Sequence, residues 1–391
     1  MLDTSVKYFH SGMAGAPVMS GTIGSLLAVL DACLVNGFGL KTVNSLVVSN
    51  NVATATINTG HSAEADVVVE IAGATPSGLN GQQKVIAVTS NTVQWETTGI
   101  ADQTATGTIS LKLAGAGWVK EFSGANLGAY RSPNILGTRM YLRVDDADAT
   151  FARLIGYETM SDINTGTGLF PSTAQRPGGL YWSKSLVADS TLREWMLIAD
   201  DRMFYFARAH RSDYPEGYET GAFGDFIPTK SGDAYACVIN GTSANNVGGV
   251  YHPDIYWVGN SSAVSGGVYA PKSYTGIGAP AQMGKSFPVL AFTAVENQSG
   301  YVNGGLTFPN PEDGGLYLVP HYLLEFNPNN VRGVSPGFYC SPQRFTSTIL
   351  PACDTVTGVT ALPGKKFKVI TCLQTALIGT PCFVDITGPW R

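Results

Sequence analysis

Residues 65–97 read ADVVVEIAGATPSGLNGQQKVIAVTSNTVQWET. Short runs rich in Val, Ile and Thr are separated by Pro76-Ser77-Gly78, Asn80-Gly81 and Ser90-Asn91, residues that favour tight turns. Val85, Ala87 and Thr89 alternate with their neighbours, and a strand sends successive side chains to opposite faces. The stretch therefore predicts short antiparallel strands, and strands of this length at regular spacing build a sandwich or barrel.

The same texture extends outward. Upstream lie SLVVSN and NVATATI, where Val52, Thr54 and Thr56 alternate, and downstream lies TGTISLKLAG. Residues 42–116 are thus expected to form a small β-sandwich or barrel module. Glycines at 37, 39, 115 and 117 mark both of its ends, and Gly-rich joints are where insertions are best tolerated. The simplest organisation is a module inserted into a host domain made of 1–41 and 117–391, the latter divisible into two subdomains near 240–285.

Ahead of the module, residues 15–39 (GAPVMSGTIGSLLAVLDACLVNGFG) are the one clear helical segment. Ser20 is a candidate cap, and Ile23, Leu26, Leu27, Leu30 and Leu34 recur at helical spacing. Gly37 and Gly39 supply the stop. The opposite face is small or apolar, with Asp31 its one charge, whereas a solvated helix carries several. Ile23, Ala28, Val29 and Ala32 are therefore candidate interface residues, and residues 1–20 read as an arm held by a neighbouring subunit.

Beyond the module the strands turn aromatic: TRMYLRVDD, ARLIGYETM, GGLYWSKS, REWMLIADD, RMFYFARA and DAYACVIN, then VRGVSPGFYCS, KKFKVITCLQ and TPCFVDIT. LIADD–RMFYFARA reads as a hairpin around Asp200-Asp201. Residues 240–285 are the loosest part, and a long irregular segment within a domain is usually functional or disordered. Its Tyr251, Tyr256, Trp257, Tyr269 and Tyr274 form a candidate surface-contact loop. The fold class expected is mainly β: a sandwich or barrel host with one N-terminal helix and an inserted small sandwich.

Composition narrows the function classes. Charged residues are 14% of the 391, against roughly 25% in ordinary soluble domains. The 46 glycines are nearly twice the usual ~7% share. Low charge with abundant Gly, Thr, Ser, Asn and aromatics suits a β protein that buries much of its exterior in an oligomer. A net charge of −5 argues against nucleic acid as a partner, since phosphate binding needs clustered Lys and Arg. No apolar run approaches the ~20 residues of a membrane span, and the N-terminus lacks a signal-peptide pattern. The six cysteines include no closely spaced pair of the kind that holds structural zinc, and read as small core residues.

Chemistry finds little footing. Asp145, Asp146 and Asp148 lack EF-hand spacing and read as a solvated turn, as do Asp200 and Asp201. His10, His61, His210, His252 and His321 are far apart, and no G-x-S-x-G elbow, P-loop or H-E-x-x-H occurs. No catalytic residue, cofactor or metal site is assigned, and the chain is expected not to be an enzyme.

Residues 7–42, KYFHSGMAGAPVMSGTIGSLLAVLDACLVNGFGLKT, resemble the start of a group of virion structural proteins of tailed bacteriophages. The resemblance continues in 116–132 (AGWVKEFSGANLGAYRS), 138–146, 156–171 and 178–185, and fades after about residue 240. The 42–116 module is itself similar to the small β-sandwich inserts of phage tail proteins, which implies an inserted Ig-like β-sandwich. This resemblance implies a part of the phage particle, tail tip or baseplate, assembled in the host-cell cytoplasm. The implied partners are further copies of the chain, other virion proteins and, for a surface-displayed insert, a host-cell glycan. Receptor binding and a capsid decoration or fibre role are the alternatives, with a glycan-cleaving enzyme of the particle as the remaining rival.

Overall fold

A computed structural model describes residues 2–209, 218–242, 266–286, 306–325, 330–344, 350–374 and 377–391. The fold is mainly β, with antiparallel pairing throughout the two large strand networks.

The first network runs from Phe38 to Leu113. Phe38–Thr42, Ser110–Leu113, Val68–Ala72 and Gly81–Val88 lie side by side. Thr92–Glu96, Val52–Thr56, Ser45–Ser49 and Gln103–Thr104 continue the order. Gly81–Val88 belongs to both halves: its register slips between Val85 and Ala87, letting one strand leave the first sheet and enter the second. Between the sheets lie Leu46, Val48, Ala53, Ala55, Val69, Ile71, Val85, Val93, Trp95, Leu111 and Leu113, all buried. Each of the six strands expected between 42 and 116 is present. Phe38–Thr42 adds one at the start, pairing with Ser110–Leu113 so that the chain enters and leaves the sandwich side by side.

At that joint, Gly37 and Gly115 pass within contact of one another. A Cβ on Gly37 would lie 2.0 Å from the Leu113 carbonyl oxygen, and one on Gly115 would lie 2.5 Å from that of Val35. The returning chain then bonds to the helix it left, Ala116 N–H to Cys33 O and Trp118 N–H to Leu34 O.

The host strands form a second, continuous network. Trp195–Ala199 and Met203–Arg208 make the expected hairpin, followed by Glu219–Asp225 and Cys237–Thr242. Every residue of these four strands is buried, which requires cover on both faces. One cover is aromatic: Phe204 and Phe206 meet Trp182 edge-on at 6.1 and 6.0 Å, and Trp118 packs on Phe204 at 5.3 Å. On the alternate face Tyr205 meets Phe338 at 4.9 Å and Trp390 at 5.6 Å.

Two expectations change here. The N-terminal arm is not extended toward another subunit: Lys7–His10 pairs with Trp195–Ala199, Phe9 opposite Leu197, and Val6, Tyr8 and Phe9 are buried. An aromatic, alternating segment finds its partner in its own sheet. The stretch 240–285 is also not wholly irregular. Gly266–Ala270 pairs with Cys237–Thr242, and Ala281–Ser286 bridges onward to Val319–Glu325, joining the two halves of the host strands.

The helix runs as Ser25–Leu30 in α form and Asp31–Asn36 in π form. Leu26, Leu27, Val29, Leu30, Cys33 and Leu34 are buried. Ser20 does not cap it. The cap position is Gly24, at φ +79°, and the Asp146 carboxylate accepts the Leu26 and Leu27 amides at 2.9 and 3.1 Å. Asp31 receives Lys120 Nζ at 2.9 Å and Tyr130 Oη at 2.6 Å, so strands Val119–Gly124 and Leu127–Arg131 cover that side.

Candidate interaction surface

Residues 18–23 lead into the helix and abut residues 187–193. Met19 bridges Arg193, with the Arg193 amide donating to Met19 O at 2.8 Å. Gly21 sits so close that a Cβ would fall 2.0 Å from the Val187 carbonyl oxygen. From these two abutting segments four large apolar side chains emerge into solvent: Val18 (52% exposed), Ile23 (55%), Val187 (53%) and Leu192 (45%). Scattered apolar residues are normal on a surface; these four stand on two segments that abut.

Of the predicted interface residues, Ile23 belongs to this face, Ala28 is exposed on the helix and Ala32 is half-buried. Val29 is not available: it is fully buried in the chain's own core. Helical spacing alone assigned it to the back, but the helix is covered over a wider arc than its leucines mark.

The aromatic loop resolves differently. Tyr251, Tyr256 and Trp257 lie outside the described residues. Tyr269 is a core residue, 2% exposed on strand Gly266–Ala270 with the Arg176 guanidinium 5.9 Å over its ring, and burial pushes its hydroxyl pKa up. Tyr274 is 47% exposed, its amide held by Glu325 Oε2 at 2.9 Å.

The carboxylates read as solvated turns are largely structural. Asp146 is fully buried against Lys184. Asp200, also buried, accepts the amides of Arg202 and Met203 at 2.8 and 2.6 Å and Arg391 Nε at 3.0 Å. Asp145 and Asp148 do behave as turn residues, accepting the amides two residues on, Ala147 N–H at 3.2 Å and Thr150 N–H at 2.7 Å. Among the described residues, no group of three His, Cys, Asp or Glu side chains is placed to hold a metal ion. The Cys33 and Cys237 thiols are fully buried, which raises their pKa and leaves them unreactive as nucleophiles.

A cleft of about 560 Å³ opens between Leu136–Thr138 and residues 226–236, with Arg202, Asp225 and Arg391 on its wall. Asp225 accepts the Thr138 amide at 2.9 Å and its hydroxyl at 2.5 Å, while burial raises its carboxyl pKa. Arg391 reaches the Asp225 carbonyl at 3.2 Å and Arg202 the Leu136 carbonyl at 3.0 Å. Leu136 (78% exposed) and Ile227 (37%) give the cleft an apolar lip.

The inserted sandwich is fixed to the host along one flank. Tyr8 Oη donates to Ala65 O at 2.7 Å, His10 meets Glu64 at 3.0 Å, Lys366 meets Asp66 at 2.7 Å, and Lys84 Nζ donates to Ile386 O at 2.7 Å. The His10 hydrogen bond holds the Glu64 carboxyl below the usual carboxylate range. The edge formed by Ser45–Ser49 and Gln103–Thr104 takes no part in these contacts, with Val47 38% exposed.

The chain matches no protein-family model and no curated protein. Function therefore rests on the residues and their arrangement. No helix among the described residues is long and apolar enough to cross a membrane.

Proposed function

We propose that this chain is a non-enzymatic structural component of a tailed-bacteriophage particle, in the tail tip or baseplate. It self-associates and holds its inserted sandwich outward. The observation that carries self-association is the face of Val18, Ile23, Val187 and Leu192, on two segments pinned together by backbone contacts. Burying such a face is favourable by roughly 25 cal/mol per Å² of apolar area. Closed symmetry would reuse the same face in every copy. The low charge content and the resemblance of residues 7–42, 116–132, 138–146, 156–171 and 178–185 to virion proteins support the assignment to a particle. Sedimentation of the purified chain tests self-association, and labelling of intact particles tests the location.

A second reading, contact with a host-cell glycan, is favoured by the cleft. Arg202, Arg391 and Asp225 there set hydrogen-bonding groups beside the apolar Leu136 and Ile227. Adsorption that survives deletion of 42–116 but fails in Arg202→Ala would point to the cleft rather than the insert.

A further inference from the structure

We propose that Lys184 and Asp146 become joined by an isopeptide bond between Nζ and Cγ, a covalent tie beneath the start of the helix. The two side chains are in direct contact, Nζ on Oδ1, and neither has any exposed side-chain surface. Nζ has a second bond, to Thr22 O at 2.7 Å, which fixes where the amine sits. The other carboxylate oxygen, Oδ2, accepts two backbone amides, Leu26 at 2.9 Å and Leu27 at 3.1 Å.

This is the arrangement that amide formation needs. Two N–H groups converging on one oxygen form a pocket for the negative charge of a tetrahedral intermediate, and losing a single such donor costs an acyl-transfer enzyme about 10²–10³ in rate. Holding amine and carbon in contact replaces a bimolecular encounter, for which effective molarities reach roughly 10⁵–10⁸ M. Burial disfavours both charged forms, pulling the Lys184 pKa down and pushing that of Asp146 up. A neutral amine facing a neutral acid is thereby brought within reach.

The step balances without any other reactant. One proton passes from the Lys184 ammonium to Oδ1. The freed nitrogen lone pair attacks Cγ, and the carbonyl electron pair moves onto Oδ2, against the Leu26 and Leu27 amides. A proton from nitrogen then moves to the Oδ1 hydroxyl, the Cγ–Oδ1 bond breaks and water leaves. Oδ2 becomes the amide oxygen and keeps both backbone donors. The product replaces two buried ions, whose desolvation is costly, with one neutral amide. It ties the residue following strand Tyr141–Asp145 to the residue following strand Leu180–Ser183.

Intact-mass spectrometry of the purified, denatured full-length chain tests this. The expected mass is below the sequence mass by one water, with a branched proteolytic peptide containing both Asp146 and Lys184. Lys184→Arg should restore the lost water. A wild-type chain at full sequence mass would overturn the proposal. So would a water loss carried on a linear peptide, the signature of an aspartyl succinimide. Because the decisive reading is on the wild-type chain, it does not depend on any variant folding.

Discussion

Replacing Ile23 with Asp probes the contact face without touching the core. Ile23 is 55% exposed, so about half of its side chain remains to be covered by a partner. Full burial of an Ile side chain contributes roughly 1.5–3 kcal/mol, so covering the remaining half supplies on the order of 1 kcal/mol per copy. The aspartate forfeits that and adds an unpaired carboxylate to a drying interface, which raises the total cost to about 2–3 kcal/mol. Association should weaken by roughly 30- to 140-fold per contact, since about 1.4 kcal/mol is a factor of ten. Val18, Val187 and Leu192 are exposed to similar degrees, so substitutions there should act alike. Sedimentation velocity over a wide concentration range reads the shift. Unfolding of the separated chain should change by no more than about 0.5 kcal/mol, as for most surface substitutions. An unchanged oligomer distribution in both Ile23→Asp and Leu192→Asp would refute the reasoning, leaving these side chains as ordinary surface.

Three further outcomes follow from the packing. Asp146→Ala strips the first helical turn of its acceptor and leaves Lys184 buried without its carboxylate; urea denaturation should show a loss of about 3–5 kcal/mol. Gly21→Ala would place a Cβ 2.0 Å from Val187 O and 2.7 Å from Asp189 N, both backbone atoms. It should therefore lower stability by about 1–3 kcal/mol in a thermal melt. Lys84 is buried, and desolvation brings its pKa from 10.5 to about 8. Between those values the unfolded chain binds the proton and the folded chain does not, so this group makes stability rise with pH across the window. In Lys84→Met that rise should disappear from paired denaturation curves.

Strands were legible wherever local pattern and environment agreed. The alternation at Val52, Thr54 and Thr56 and the hairpin at Asp200-Asp201 are properties of a few consecutive residues, and the structure places strands there, whereas the alternation expected at Val85, Ala87 and Thr89 breaks at the register slip between Val85 and Ala87. The glycines at 37 and 115 were legible for a related reason, since tight backbone approach leaves a residue-type signature. What escaped were pairings between distant residues. Asp146 caps a helix about 120 positions away, and nothing near Ser25 announces it. An acidic triplet after a strand looks solvated until the fold lays a lysine and two amides against one member. Lys7–His10 has a strand's composition, but its partner at Trp195–Ala199 is set by topology alone. Tyr269 was misplaced because Gly and Ser around it mask a five-residue strand. Val29 was misplaced because a helical stripe tells which face is apolar, not how far its cover extends.

The central claim is that this chain builds a particle by packing against copies of itself. A reconstruction of the intact virion tests it most directly. The account predicts density for several symmetry-related copies in the tail tip or baseplate, with Val18, Ile23, Val187 and Leu192 against a neighbouring subunit. Absence of the chain from the particle, or its presence with that face open to solvent in every copy, would contradict it.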